Sequence, residues 1–104
     1  MAQFDVHRNT SPSKSRVPFL VDVQADLLKG LATRVVVPLV HPAEIGDKPI
    51  RDLHFEVTVQ GRRFIALGTE LAGIPAKALG GIIANLSSRR ADFVRAIDIL
   101  LTGV

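Results

Sequence analysis

The chain lacks cysteine, tryptophan and tyrosine. Its aromatic residues are five phenylalanines and three histidines. Without cysteine it forms no disulfide, has no thiol nucleophile and offers no cysteine-ligated metal site. Binding of single-stranded nucleic acid relies on aromatic platforms on which the bases stack, and five phenylalanines make no obvious ladder of this kind. These absences exclude thiol chemistry and argue against single-strand binding.

Long apolar runs and a strong charge bias are missing as well. No segment approaches the ~20 apolar residues that span a bilayer, and residues 1–5 lack the basic segment and apolar block of a secretory signal. We therefore expect a cytoplasmic protein with no membrane partner. The net charge of +3, from 13 basic and 10 acidic residues, permits an acidic partner or nucleic acid without requiring either.

The composition that remains is that of one folded domain. The 104 residues are 47% hydrophobic and 22% charged, which is enough for one core and not for two. Alternating polar and apolar residues predict about five antiparallel strands, at residues 3–7, 17–24, 34–40, 55–59 and 63–68. Residues 69–78 are predicted to be loop with a short helical turn. We expect a single domain over residues 1–104.

Two local features refine this strand pattern. Residues 34–40 are nearly all apolar, which predicts a strand buried on both faces. Pro38 within this strand predicts a bulge or an edge, because proline cannot donate to a ladder. Gly61 and Arg62 are predicted to turn the hairpin between the last two strands.

A C-terminal amphipathic helix follows the strands. Ser87 or Ser88 is predicted to cap its start. Apolar residues at spacings of three and four form one stripe, which consists of Phe93, Val94, Ile97, Leu100, Leu101 and Val104. The first three are predicted to pack on the sheet, whereas for residues 101–104 core packing and a contact surface both stay open. The expected fold is mainly β with α, the helix lying on an antiparallel sheet.

Several blocks of sequence are more specific than these periodicities. They are QFDV at residues 3–6, FLVDVQADLL at 19–28, RVVVPL at 34–39, IP at 74–75, and AID at 96–98 continuing to GV at 103–104. In this order and spacing the chain resembles the CcdB family of toxins from toxin–antitoxin pairs, over essentially its whole length. The VDVQ block is the most specific, and the VPL block is shared more loosely with the related MazF and Kid toxins.

The resemblance implies an SH3-like β-barrel with a C-terminal helix, assembled as a homodimer, with no cofactor and no metal. It implies a non-enzymatic activity, in which the dimer traps DNA gyrase on cleaved DNA by gripping the gyrase A subunit with the C-terminal residues of both chains. It further implies a disordered, acidic antitoxin that neutralises the toxin. Operator DNA would be reached only indirectly, through that antitoxin.

The resemblance also indicates site residues. The gyrase-contacting tail of the family matches Thr102, Gly103 and Val104. The surface shared by gyrase and antitoxin lies near the positions that match Leu27, Leu28 and Asp98. From the residues alone, core packing of the two leucines and simple solvation of Asp98 stay open as alternatives.

Thr102 departs from the family pattern, because the best-known members carry tryptophan at this position. A buried tryptophan is a frequent binding hot spot, and truncating one costs ~2–4 kcal/mol. Binding of gyrase would then fall by roughly thirty- to a thousandfold. The expected protein binds gyrase weakly, binds a different partner, or has lost toxicity.

Two further hypotheses compete with the gyrase poison. An RNA endonuclease of the MazF or Kid type needs an acid, a base and a cation at the scissile phosphate. His7, His41 and His54 are candidates, but no spacing links them to each other or to a carboxylate cluster, so surface or loop histidines are predicted. The arginine pairs at 62–63 and 89–90 are predicted to be solvated rather than bound to phosphate. The other alternative is an inactive member that only binds antitoxin.

Overall fold

The computed structural model describes residues 2–28, 30–46 and 49–103. Within these ranges the chain forms, in order, β1 (Asp5–Asn9), β2 (Phe19–Asp22), β3 (Thr33–Val40), β4 (His54–Val59), β5 (Arg62–Leu67), β6 (Ala72–Pro75), β7 (Leu79–Asn85) and α1 (Arg90–Thr102). The predicted class, mainly β with a C-terminal helix, is confirmed, with seven strands where about five were predicted. No helix in these ranges is long and apolar enough to cross a membrane.

The strands form one antiparallel sheet in the order β4-β5-β3-β2-β1-β7, and β6 pairs with β3 beside this path. The path is open, since its end strands, β4 and β7, do not pair with each other in the part of the chain that is described. A side chain bridges the gap: the Gln60 amide donates to the Ile83 carbonyl of β7 at 3.2 Å. The sheet is thus an open path rather than a closed barrel.

Strand β3 lies at the centre of the sheet. One side pairs with β2, and the other pairs with β6 at residues 33–36 and with β5 at residues 39–40. In an antiparallel ladder, pairs with and without hydrogen bonds alternate. Val23 and Val35 form a hydrogen-bonded pair, so Pro38, which lies opposite Leu20 of β2, belongs to a pair without hydrogen bonds. Its missing N–H therefore falls between β6 and β5, and the predicted bulge or edge is not needed.

The turn of the β4–β5 hairpin lies one residue earlier than predicted. Val59 pairs with Arg62, so Gln60 and Gly61 form a two-residue turn. Their φ angles are 51° and 78°, the positive values that a type I′ turn requires at both positions. Glycine supplies one of them without strain, which fixes the hairpin register.

Strands β6 and β7 occupy residues that were predicted to be loop or were not assigned. β6 contains a glycine and a proline and β7 contains two adjacent glycines, so the local preference of both segments for strand is weak. Pairing with β3 and β1 overrides it. Gly80 is required for this, because a Cβ there would lie 2.8 Å from the Arg8 carbonyl oxygen on β1.

The two faces of the sheet carry different cores. The larger core is apolar and consists of Phe4, Val6, Val21, Val23, Val37, Leu39, Val57, Val59, Phe64, Ala66, Leu86 and Phe93. The smaller core lies on the opposite face and consists of Val17, Leu20, Val36, Val40 and Leu67. Pairing of His7 with Leu20 and of Asp22 with Val36 adds buried polar side chains to this second face. Helix α1 covers the first face.

Candidate functional site

Helix α1 is fixed to the sheet through its first half. Phe93 and Ala96 are fully buried, and the Phe93 ring packs against Phe4 and Phe55 with centroid distances of 5.6 and 4.9 Å. Gly68 permits this close approach, because a Cβ there would lie 3.0 Å from the Ala96 Cβ. The first half of the helix therefore contributes to the core.

The start of α1 differs from the prediction. Ser87 and Ser88 lie in a short 3-10 turn, and the helix begins at Arg90 with no side-chain cap. Arg89 Nε donates to Asp92 Oδ2 at 2.7 Å, which keeps an acid in the first turn, where the helix dipole favours it. The predicted serine cap is wrong.

The residues of the apolar stripe of α1 differ in how far they are exposed to solvent. Ile97 is half-buried, whereas Val94 is 38% exposed, Leu100 is 38% exposed and Leu101 is 72% exposed. The prediction that Val94 packs on the sheet is wrong, because it lies about 100° around the helix from Phe93 and faces away from the core. Among the described residues nothing covers the end of the helix.

The tail leaves the helix in a defined direction. The Thr102 hydroxyl donates to the Asp98 carbonyl at 2.6 Å. Gly103 has a φ of 76° and its N–H donates to the Ile99 carbonyl at 2.8 Å, the left-handed cap that glycine adopts most easily. Thr102 and Gly103 are both exposed. Val104, the third predicted contact residue, lies outside the described residues.

Three exposed leucines follow β2, and we call Leu27, Leu28 and Leu31 the leucine segment. They are 93%, 47% and 54% exposed, and a 3-10 turn at Asp26–Leu28 carries the first two. Core packing of Leu27 and Leu28 is therefore wrong. Clustered apolar side chains in water often mark an interaction site, whereas single ones need no explanation.

A side-chain link joins the leucine segment to α1. Gln3 N donates to Asp26 Oδ1 at 2.6 Å, and Arg90 Nη1 donates to Gln3 Oε1 at 3.1 Å. From Arg90 an open surface runs along the outer side of the helix and includes Val94 and Asp98.

Val94, Asp98 and Leu101, spaced four and three apart, form the outer face of α1. We call the leucine segment, this outer face and the tail residues Thr102 and Gly103 together the candidate docking surface, or docking surface for short. The predicted positions Leu27, Leu28, Asp98, Thr102 and Gly103 all belong to it and are all exposed.

A buried ion pair beneath the leucine segment was not predicted. Asp22 and Arg34 are 0% and 1% exposed, and Arg34 Nε donates to Asp22 Oδ2 at 2.8 Å. Arg34 Nη2 lies 2.7 Å from the same oxygen without the geometry of a hydrogen bond, and Nη1 has no partner among the described residues. Asp22 Oδ1 also accepts from Gln24 N at 3.0 Å, so the pair anchors the chain that leads into the segment.

The three histidines are not brought together. His7 is buried and its Nδ1 donates to the Gly80 carbonyl at 3.0 Å, whereas His54 lies on β4 and its Nε2 donates to the Thr69 hydroxyl at 2.9 Å. His41 is half-buried after β3. Surface or loop placement is wrong for His7 and His54. In the described ranges no group of three or more His, Asp or Glu side chains is close enough to hold a metal ion.

The two arginine pairs have different surroundings. Arg89 and Arg90 lie over the rings of Phe55 and Phe4, with 5.8 and 5.7 Å from the guanidinium carbon to the ring centroid. Arg90 is exposed, as predicted, whereas Arg89 is half-buried and paired with Asp92. The pair at residues 62–63 is exposed at the hairpin, as predicted, and Arg62 lies over the Phe64 ring at 5.8 Å.

A comparison with protein families gives one match over nearly the whole chain. The family model described as CcdB protein matches residues 3–103. The match includes the strands, helix α1 and the described part of the docking surface. It therefore refers to the same segments that carry the exposed apolar side chains.

Proposed function

The chain belongs to the CcdB family, and from this premise we propose that it is the toxin of a toxin–antitoxin pair and acts by gripping a protein partner with its docking surface. At the level of the family, membership implies a poison of DNA gyrase that is not itself a catalytic enzyme. For this chain the gyrase A subunit is the proposed target, and a cognate acidic antitoxin is the proposed neutralising partner.

The observation that best supports the proposal is the exposure of large apolar side chains at the docking surface. Leu27 at 93% and Leu101 at 72% are the most exposed of the large hydrophobic side chains in the described ranges. Both lie on ordered backbone, one in a 3-10 turn and one in the last turn of α1. A partner that covers these side chains removes apolar surface from water, which favours binding.

The gyrase contact of this chain is proposed to be weaker than that of members with tryptophan. Thr102 is exposed, but its hydroxyl donates a hydrogen bond to the Asp98 carbonyl. It therefore presents little more than a methyl group to a partner. Leu101, immediately before it, provides the largest exposed apolar side chain of the helix end. We propose that Leu101 supplies part of the contact that tryptophan supplies elsewhere.

The antitoxin is proposed to cover the same surface. The exposed side of α1 carries the cations Arg90 and Arg95 together with the acids Asp92 and Asp98 around Val94, so the proposed contact with the antitoxin is both polar and apolar. An antitoxin seated there would occlude the outer face of α1. Operator DNA is then reached only through the antitoxin.

A homodimer completes the proposal. The resemblance to the family implies this assembly, and the proposal requires that Leu101 of each copy stays exposed to the target. Sedimentation at micromolar concentration is expected to give a dimer. A monomer alone at that concentration would contradict this part of the proposal.

The decisive experiment is induced expression in a gyrase-sensitive bacterium and in a strain with gyrase resistance. Growth arrest in the first strain and growth in the second is the expected result. Arrest in both strains would exclude gyrase as the target. Specific cleavage of RNA that survives repurification of the protein would contradict a non-enzymatic toxin, and tight antitoxin binding without any arrest would indicate an inactive member.

A further inference from the structure

Two glutamines hold the leucine segment, and we infer that Gln24 and Gln3 are positioning residues for partner binding, an inference that rests on the docking surface proposed above. Gln24 follows β2 and is 8% exposed. Its Oε1 accepts from Val35 N at 3.0 Å, and its Nε2 donates to the Leu28 carbonyl at 3.1 Å. One side chain therefore connects the central strand with the exposed segment.

The position of Gln24 requires a carboxamide. The side chain must accept from a backbone N–H at one atom and donate to a backbone carbonyl at the other. Glutamate lacks the donor, and methionine, which has a similar shape, lacks a strong acceptor and a donor. Either change leaves a backbone group of Val35 or Leu28 without its partner.

The backbone of Gln24 is fixed by the buried ion pair. Asp22 Oδ1 accepts from Gln24 N, while Arg34 holds the other carboxylate oxygen. Hydrogen bonds to a charged group are stronger than those between neutral groups. The main chain and the side chain of Gln24 are therefore both held before the leucine segment begins.

Gln3 holds the segment from its other side. Its N–H donates to Asp26 Oδ1, its Nε2 donates to the Val23 carbonyl at 3.1 Å, and its Oε1 accepts from Arg90. Because Arg90 is the first residue of α1, Gln3 sets the leucine segment relative to the helix. Gln24 thus holds the Leu28 carbonyl, and Gln3 links Asp26 at the start of the segment to the first residue of α1.

The consequence is that affinity depends on side chains that add little apolar contact area. Within the segment Leu28 N donates to the Ala25 carbonyl at 2.9 Å and Leu31 N donates to the Leu28 carbonyl at 3.1 Å. We expect these two backbone hydrogen bonds to persist while the Gln24 side chain holds the Leu28 carbonyl in place. Without it the segment samples other conformations, and a partner must order it again on binding.

Hydrogen exchange of single amides tests the positioning directly. We expect the amides of Leu28 and Leu31 to exchange about fivefold faster in Gln24→Met, the size of effect expected from one lost hydrogen bond. Gln60→Met is the matched control, since Gln60 also donates to a backbone carbonyl but lies on the β4–β5 turn. Unchanged exchange of both leucine amides in Gln24→Met would overturn the inference.

Binding to purified gyrase A subunit tests the functional consequence. We expect the affinity of Gln24→Met to fall about fivefold or more below that of Gln60→Met, because the segment must be ordered again. Faster exchange with unchanged affinity would overturn the positioning role. If the wild-type protein binds no gyrase A subunit, the proposed target fails, and the exchange result alone decides whether the glutamines hold the segment. If the circular dichroism spectrum shows that Gln24→Met is unfolded, Gln24→Glu replaces it with the same expected results, because glutamate keeps the acceptor for Val35 N and loses only the donor to the Leu28 carbonyl.

Discussion

The two halves of helix α1 have similar apolar side chains, but those of the first half include fully buried residues and the last turn is exposed to solvent. Phe93 and Ala96 in the first half are buried against the sheet, whereas Leu101 in the last turn is 72% exposed. The sequence period is the same in both halves. The difference lies in the sheet, which supports the helix only over its first half. Phe93 and Ala96 therefore stabilise the fold, whereas Leu101, like Val94 on the outer face, is available to a partner.

Truncation in the first half gives the largest expected effect on stability. Phe93→Ala removes a fully buried ring that contacts Phe4 and Phe55, and it leaves a cavity between helix and sheet. We expect a loss of about 3–5 kcal/mol in the free energy of unfolding, measured by urea denaturation. Val94→Ala, one residue further on, is the matched control and should cost less than about 1 kcal/mol. Equal losses for the two variants would remove the distinction between the buried and exposed faces.

Restoring the family residue in the tail gives the next largest effect, and it acts on binding alone. Thr102→Trp places a large aromatic side chain at the exposed end of α1. We expect affinity for the gyrase A subunit to rise by roughly thirty- to a thousandfold, with the melting temperature nearly unchanged. Thr102→Ala is the control for loss of the hydroxyl. An affinity that does not rise with tryptophan would show that this chain does not use the family contact.

Truncation in the last turn has a smaller effect on binding. Leu101→Ala removes an exposed side chain, so the free energy of unfolding should change by less than about 0.5 kcal/mol. Affinity for the partner should fall about tenfold, as for an interface residue worth roughly 1.4 kcal/mol. Ile82→Ala on β7, where the side chain is 52% exposed, is the matched control and should leave affinity unchanged. A large loss of stability in Leu101→Ala would contradict an undocked helix end.

The smallest effect is expected far from the helix, at the β4–β5 hairpin. A hydrogen bond from Arg63 at 2.7 Å lowers the pKa of Glu56 from its usual 4.5. A lowered folded-state pKa contributes stability that is present above the unfolded value and is lost as pH falls through the folded value. Glu56→Gln should therefore melt slightly below wild type at pH 7 and equal to it near pH 3, measured by circular dichroism. A difference that persists at pH 3 would assign the effect to something other than this charge.

The fold class followed from the sequence, because alternation and helical spacing report directly on which side chains face a core. Two strands were missed for a physical reason. Both β6 and β7 contain glycine, and β6 also contains proline, so local preference for strand is weak. Long-range pairing with β3 and β1, which local preference does not reveal, makes them strands. The same limit explains Pro38, whose place between two partner strands depends on the whole sheet.

The candidate site was predicted in part. The resemblance to the family indicated Leu27, Leu28, Asp98, Thr102 and Gly103, and the structure finds all five exposed. Periodicity alone assigned Val94 to the core, because the predicted apolar stripe is too wide and includes a side chain about 100° around the helix from Phe93. The buried pair of Asp22 and Arg34 had a signal in the sequence, charged residues within strands that are otherwise apolar, but that signal does not identify the partner.

Growth after induced expression tests the central claim most directly, namely that the exposed leucines of the docking surface grip the target. Wild type, the double variant Leu27→Ser with Leu101→Ser, and the control Ile82→Ser are to be compared by colony count in a gyrase-sensitive strain, at equal amounts of soluble protein. The account predicts growth arrest by wild type and by the control, and normal growth with the double variant. Arrest by the double variant equal to that by wild type would contradict it.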